Sequence, residues 1–190
     1  NPLLGSHNWH DMGYLYPSVI DWDGDGLKDL MLPNETNRIV WYRNVGTAAD
    51  PRFDSPQFLE VDGYPDSPAR RAASGRLADD PKGNNVPYPP EDWPFFWRTG
   101  AAFADWNNDG LADVITLDCL HRRATLYAQY RNAANQLRLK SLGPVLLEDG
   151  RFIDDSIVGR TQHWQESLRC VDWDGDGLLD LIYSLSNTGK

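Results

Sequence analysis

Three short runs concentrate the side chains able to do chemistry. They read DWDGDGLKDLML from Asp21, DWNNDGLADVIT from Asp105 and DWDGDGLLDLIY from Asp172, and they align without a gap. Oxygen-bearing side chains recur at relative positions 1, 3, 5 and 9. Loop one supplies Asp21, Asp23, Asp25 and Asp29, loop two Asp105, Asn107, Asp109 and Asp113, and loop three Asp172, Asp174, Asp176 and Asp180. A glycine follows position 5, where a chain wrapped around an ion must turn sharply. Leu27, Leu111 and Leu178 at position 7 each offer a backbone carbonyl. Oxygens on alternate residues of a tight loop suit a hard cation taking about six to eight of them, which is calcium. Mg²⁺ keeps more of its waters, and no His or Cys cluster points to zinc. About three structural Ca²⁺ ions are expected, with loop two, one carboxylate short, the weakest. The competing reading is three Asx-rich turns capped by their own backbone. An EF-hand is excluded, because its twelfth position is a bidentate Glu between helices. Here that position is Leu32, Thr116 or Tyr183 inside an apolar run.

Charge agrees with metal binding. The chain of 190 residues carries 18 basic and 28 acidic side chains, net -10, and neutralising the loop carboxylates brings it to about +1. An acidic chain disfavours nucleic acid, which is held mainly through Lys and Arg. No apolar run is long enough to span a membrane. The chain starts at Asn1 without a basic and apolar leader, so a removed signal or a longer parent chain is expected. Two cysteines are too few for a disulfide scaffold. Cys119 and Cys170 read as free buried thiols, with a disulfide between them as the alternative.

The elements that must position the loops follow from the repeat. Each loop is preceded by an apolar run (Pro17-Ser-Val-Ile, Ala101-Ala-Phe-Ala, Leu168-Arg-Cys-Val) and followed by a second. A third run in the first two units shares the ending Tyr-Arg-Asn, at Tyr42 and at Tyr130. A fourth closes each unit, Gln57-Phe-Leu-Glu-Val and Pro144-Val-Leu-Leu-Glu. The runs are short, β-branched and aromatic, bounded by Gly, Asn, Asp and Pro. Ala124 to Leu139 has some helical propensity, but the repeat argues for strand. The expected class is all-β, with four-stranded antiparallel blades of a β-propeller. Blade one runs from about 14 to 62, an insertion from about 63 to 97, blade two from about 100 to 149 and a partial blade three from about 167 to 190. About two and a half blades do not close a ring, so further blades are expected from the same parent chain. Trp22, Trp106 and Trp173, at position 2 of every loop, read as packing between blades.

The motif D-x-[DN]-x-[DN]-G-x-x-D between two apolar strands resembles the FG-GAP or VCBS repeat. The run Trp41-Tyr-Arg-Asn-Val-Gly-Thr is similar to the secreted bacterial type, and the Phe-Gly/Gly-Ala-Pro signature of the integrin branch is absent. The resemblance implies structural calcium, an extracellular or periplasmic location and about seven blades in a complete ring. It fixes no single activity.

Residues just before each first strand lie at the end opposite the loops. They are Trp9, His10 and Tyr14, then Trp97 and Arg98, then His163, Trp164 and Arg169. If the first strands are innermost, as the resemblance implies, these side chains ring the mouth of a central channel. Aromatic faces with His and Arg suit a sugar or uronate. Two functions are therefore expected candidates. One is a non-catalytic propeller that binds a polysaccharide or a cell-surface glycan or protein through Trp9, Trp97, Trp164 and Arg169. The other resembles the propeller polysaccharide lyases acting on ulvan and related uronate polymers. In it His10 and His163 exchange protons, Arg98 holds the carboxylate and Tyr14 donates a proton.

Overall fold

A computed structural model describes residues 16–33, 37–64, 93–96, 100–158 and 164–186. Among these residues the regular elements are ten strands and one 3-10 turn at Asp155–Val158, and every pairing of named strands is antiparallel. The first sheet takes β1 (Ser18–Ile20), β2 (Asp29–Pro33), β3 (Ile39–Tyr42) and β4 (Gln57–Phe58) in chain order. The second takes β5 (Ala102–Ala104), β6 (Asp113–Leu117), β7 (Ala124–Arg131) and β8 (Leu137–Pro144), again in order. The third pairs β9 (Trp164–Val171) with β10 (Asp180–Ser186). Each acidic loop is thus the connection between the first and second strands of its sheet.

The segment with helical propensity is strand, β7, because its alternate side chains have buried surfaces to fill on both sides. One expectation needs correction. The fourth strand of the second unit is Leu137–Pro144, not the apolar run that begins at Pro144. That run turns back instead: Leu147 donates its amide to the Arg151 carbonyl at 2.9 Å, and Leu146 bridges Phe152.

The sheets join in two ways. The chain leaving β4 runs beside β8, with the Leu139 amide on the Glu60 carbonyl at 2.9 Å and the Asp62 amide on the Leu139 carbonyl at 2.8 Å. The first strands also meet. A Cβ at Gly100 would lie 3.0 Å from Ser167 Oγ and 3.1 Å from Tyr16 Cγ, so segments from all three units converge closely there and a side chain would have to push its neighbours aside. Two apolar clusters fill the space between sheets. The first holds Trp22, Met31, Trp41, Phe95, Val114 and Tyr127, and the second holds Trp93, Phe96, Ile115, Leu117, Cys119 and Leu168.

Most of the insertion, 65–92 and 97, lies outside the described residues. Its 93–96 stretch is buried, bridged to Asp118, and held by the Tyr127 hydroxyl on the Pro94 carbonyl at 2.6 Å.

Candidate metal centres

The three loops fold alike because the aspartates and asparagine at equivalent positions capture amides of the same turn. Asp21 accepts the amides of Gly24 at 2.9 Å and Gly26 at 2.9 Å, one on each oxygen. Asp172 takes Gly175 at 2.8 Å and Gly177 at 3.0 Å in the same manner, and Asp105 takes Asp109 at 2.9 Å and Gly110 at 2.8 Å. Positions 3 and 5 each accept the amide two residues on: Asp23 from Asp25, Asn107 from Asp109, Asp174 from Asp176, then Asp25 from Leu27, Asp109 from Leu111 and Asp176 from Leu178. The fourth position is left-handed in every loop, with φ +77° at Gly24 and +80° at Gly175. Loop two uses Asn108 there at φ 58°, the residue type that tolerates this region best after glycine.

This arrangement aims carboxylates inward. Ligand oxygens of Asp21, Asp23 and Asp25 lie within 4.8 Å of one another, and so do those of Asp172, Asp174 and Asp176. Three hard anionic donors at that spacing fit a calcium ion by donor chemistry. Loop two presents Asp105, Asn107 and Asp109 on an equivalent backbone, with Asn107 Nδ2 donating to Asp109 Oδ2 at 2.9 Å.

Position 9 is placed differently. Asp29 is fully buried at the head of β2. Its Oδ1 accepts the Asn44 amide at 2.7 Å and its Oδ2 the Trp22 amide at 3.2 Å. Asp113 repeats this, taking Gln129 at 3.0 Å and Trp106 at 3.1 Å. Asp180 takes Trp173 at 2.9 Å. In the first two sheets the ninth residue is therefore a clamp tying the loop to the third-strand segment, and in all three units it lies outside both carboxylate clusters. Burial pushes the Asp29 and Asp113 carboxyls above the ordinary carboxylate range, while the amides they accept pull them back.

The residue just after the third strand contributes what the loop motif alone does not reveal. Arg43 Nε lies 2.5 Å from Asp23 Oδ2, and its terminal nitrogen lies 3.0 Å from Asp25 Oδ2. The Asp23 charge, followed by the Asp25 hydrogen bond, holds the Arg43 guanidinium still more firmly protonated. A cation therefore already rests on two of the loop-one carboxylates. The shared Tyr-Arg-Asn ending aligns Arg43 with Arg131 in sequence, but the structural equivalence is shifted. Leu30 faces Tyr42 and its repeat counterpart Val114 faces Tyr127, so Arg43 corresponds to Ala128 rather than Arg131. Arg131 instead reaches across sheets and donates to the Asp23 carbonyl at 2.7 Å.

The position-2 tryptophans of the first two loops pack between sheets. Trp22, 2% exposed, meets Phe103 of the next sheet edge-on at 6.1 Å, and its carbonyl accepts from Gln129 Nε2 at 3.1 Å. Trp106 packs on the cluster that contains Leu168 of β9. Trp173, followed by no further sheet among the described residues, is 76% exposed.

Of the residues expected from the sequence around a channel mouth, Trp9, His10, Tyr14, Trp97, Arg98 and His163 lie outside the described residues. Trp164 opens β9, its Cα opposite Ser186. Arg169 lies on the same strand, its guanidinium on the carbonyls of Leu168 at 2.7 Å and Ala101 at 3.3 Å. Cys119 and Cys170 are not joined in a disulfide, and burial pushes the Cys170 thiol up to about 12. Among the described residues, no helix is long and apolar enough to cross a membrane.

No protein-family model matches the chain, and no curated protein or solved structure matches it either.

Proposed function

We propose that the three sheets are successive blades of a β-propeller of the secreted type, braced by calcium in each loop, which binds glycans or surface partners. One observation carries the reading. The same Asx-turned loop is built three times, always between the first and second strands of a sheet; loops one and three gather three carboxylates within 4.8 Å, and the tryptophans of loops one and two pack toward the next sheet. The meeting of first-strand segments at Gly100 supports their being innermost. Calcium here is structural: it holds each loop closed against the repulsion of its own carboxylates. Recognition belongs to the loops around this rigid frame.

Calcium titration of the full-length protein after chelation, read by calorimetry and by melting temperature, tests the brace. Filling of about three sites is expected. Each adds about 2.7 kcal/mol of stability at a hundred times its dissociation constant. An unchanged melting temperature, with no heat of binding, would overturn it. Recognition is tested on an array of neutral, uronate and sulfated glycans in calcium, and silence on all three classes would refute the glycan assignment.

A further inference from the structure

Loop one differs from its two relatives in a way that counting carboxylates hides. Its backbone amides take Asp23 Oδ1 and Asp25 Oδ1, and Arg43 takes the remaining oxygen of each. A divalent ion held by Asp21, Asp23 and Asp25 draws on those same remaining oxygens, so ion and guanidinium compete. Loop two has Ala128 at the corresponding register, and loop three has no ion pair from the described residues to Asp174 or Asp176.

Arg43 also lines a cleft of about 500 Å³ between the first two sheets, a size suited to a small ligand. Arg131 and Arg138 line it too, with the amides of Gln57, Asn135 and Gln136. The other two arginines are held by groups outside the loop-one carboxylate cluster. Arg131 is on the Asp23 carbonyl, and Arg138 is on the carboxylates of Glu60 and Asp62. Only Arg43 has partners that a metal removes.

We propose that metal binding at loop one displaces Arg43 from Asp23 and Asp25, and that the freed guanidinium makes the cleft a subsite for the carboxylate of an acidic sugar. The inference rests on the calcium reading above. Before exchange the Arg43 charge is cancelled by two aspartates. After it, a planar fork of donors faces the cleft, matched to a carboxylate, with side-chain amides nearby for hydroxyls. Calcium and the anionic sugar then bind with positive coupling, and the coupling is the same from either side. Displacing two partly exposed ion pairs also weakens loop one for calcium, by roughly five-fold.

The test uses the full-length protein and its Arg43→Gln variant. Loop-one calcium affinity is followed at the Gly26 amide by NMR, and Arg43 at its own Nε–H. Sodium glucuronate, methyl glucoside and sodium sulfate are then titrated with and without calcium. Calcium should move the Arg43 signal, and Arg43→Gln should tighten calcium at loop one roughly five-fold. Glucuronate should bind several-fold tighter with calcium in the wild type only, with methyl glucoside indifferent. Calcium bound at loop one with an unmoved Arg43 signal and unchanged affinity in the variant overturns this inference alone. Calcium bound by no loop overturns it together with the structural-calcium reading. A response to sulfate equal to that for glucuronate overturns the carboxylate assignment.

Discussion

Asp29 tests whether the ninth loop position is needed for the fold itself, apart from any metal. The side chain is fully buried and satisfies two backbone amides, those of Asn44 and Trp22. Asp29→Ala leaves both without an acceptor, at about 1–3 kcal/mol each. It also removes a carboxylate whose burial has already raised its pKa, which returns part of that cost. The expected net loss is about 2–4 kcal/mol. Asp29→Asn keeps the shape and one acceptor, so about half of that loss is expected. Asp25→Ala surrenders one exposed hydrogen bond to Leu27 and one exposed ion pair to Arg43, and should cost below about 1 kcal/mol. Urea unfolding of the full-length protein in chelator keeps metal out of the comparison. The sign of the pH dependence is fixed too. A folded pKa above the unfolded one means stability that is present at low pH and lost as pH rises through the folded value. The deficit of Asp29→Asn should therefore shrink as pH rises through that window. If Asp29→Ala cost no more than Asp25→Ala in chelator, the clamp argument would be refuted.

Two further outcomes follow from burial. Trp22→Ala should cost about 3–5 kcal/mol, since its ring fills the space between sheets, whereas Trp173→Ala should stay within about 0.5 kcal/mol by the same denaturation measurement. Equal effects would mean that position 2 does not pack sheet against sheet. With its pKa near 12, the Cys170 thiol should be about one part in ten thousand thiolate at pH 8. Alkylation by iodoacetamide should then be roughly a thousand-fold slower in the native protein than in urea, and comparable rates would contradict the burial.

What the sequence made legible was the part governed by local chemistry. The loop motif dictates its own backbone through Asx contacts two to five residues apart, so strand, loop and second strand fall where the gapless repeat puts them. The fourth strand of the second sheet was misplaced for a physical reason. Leu137–Pro144 carries Arg138, Lys140 and Ser141, with Leu139 buried, and reads as polar. It holds its place by backbone pairing to β7 on one side and to Glu60–Asp62 on the other. The apolar run after it was the stronger hydropathic signal and the weaker structural one.

The same limit explains why Arg43 and Arg131 are easily taken for equivalents. Their shared Tyr-Arg-Asn context is real in sequence, but a third strand's role is set by what faces it across the hairpin. The hairpin between the second and third strands is one residue longer in the second sheet, so Tyr127, not Tyr130, faces the position that Tyr42 faces. Asn44 and Gln129 prove the frame independently, since each gives its amide to the buried ninth-position aspartate of its own sheet. In that frame loop two has alanine where loop one has a guanidinium. Counting carboxylates makes loop two the weakest metal site; counting the cation already bound to loop one works against that order. Site-resolved calcium affinities of loops one and two, in wild type and in Arg43→Gln, decide which term wins. If loop one gains nothing when Arg43 is replaced, the carboxylate count governs.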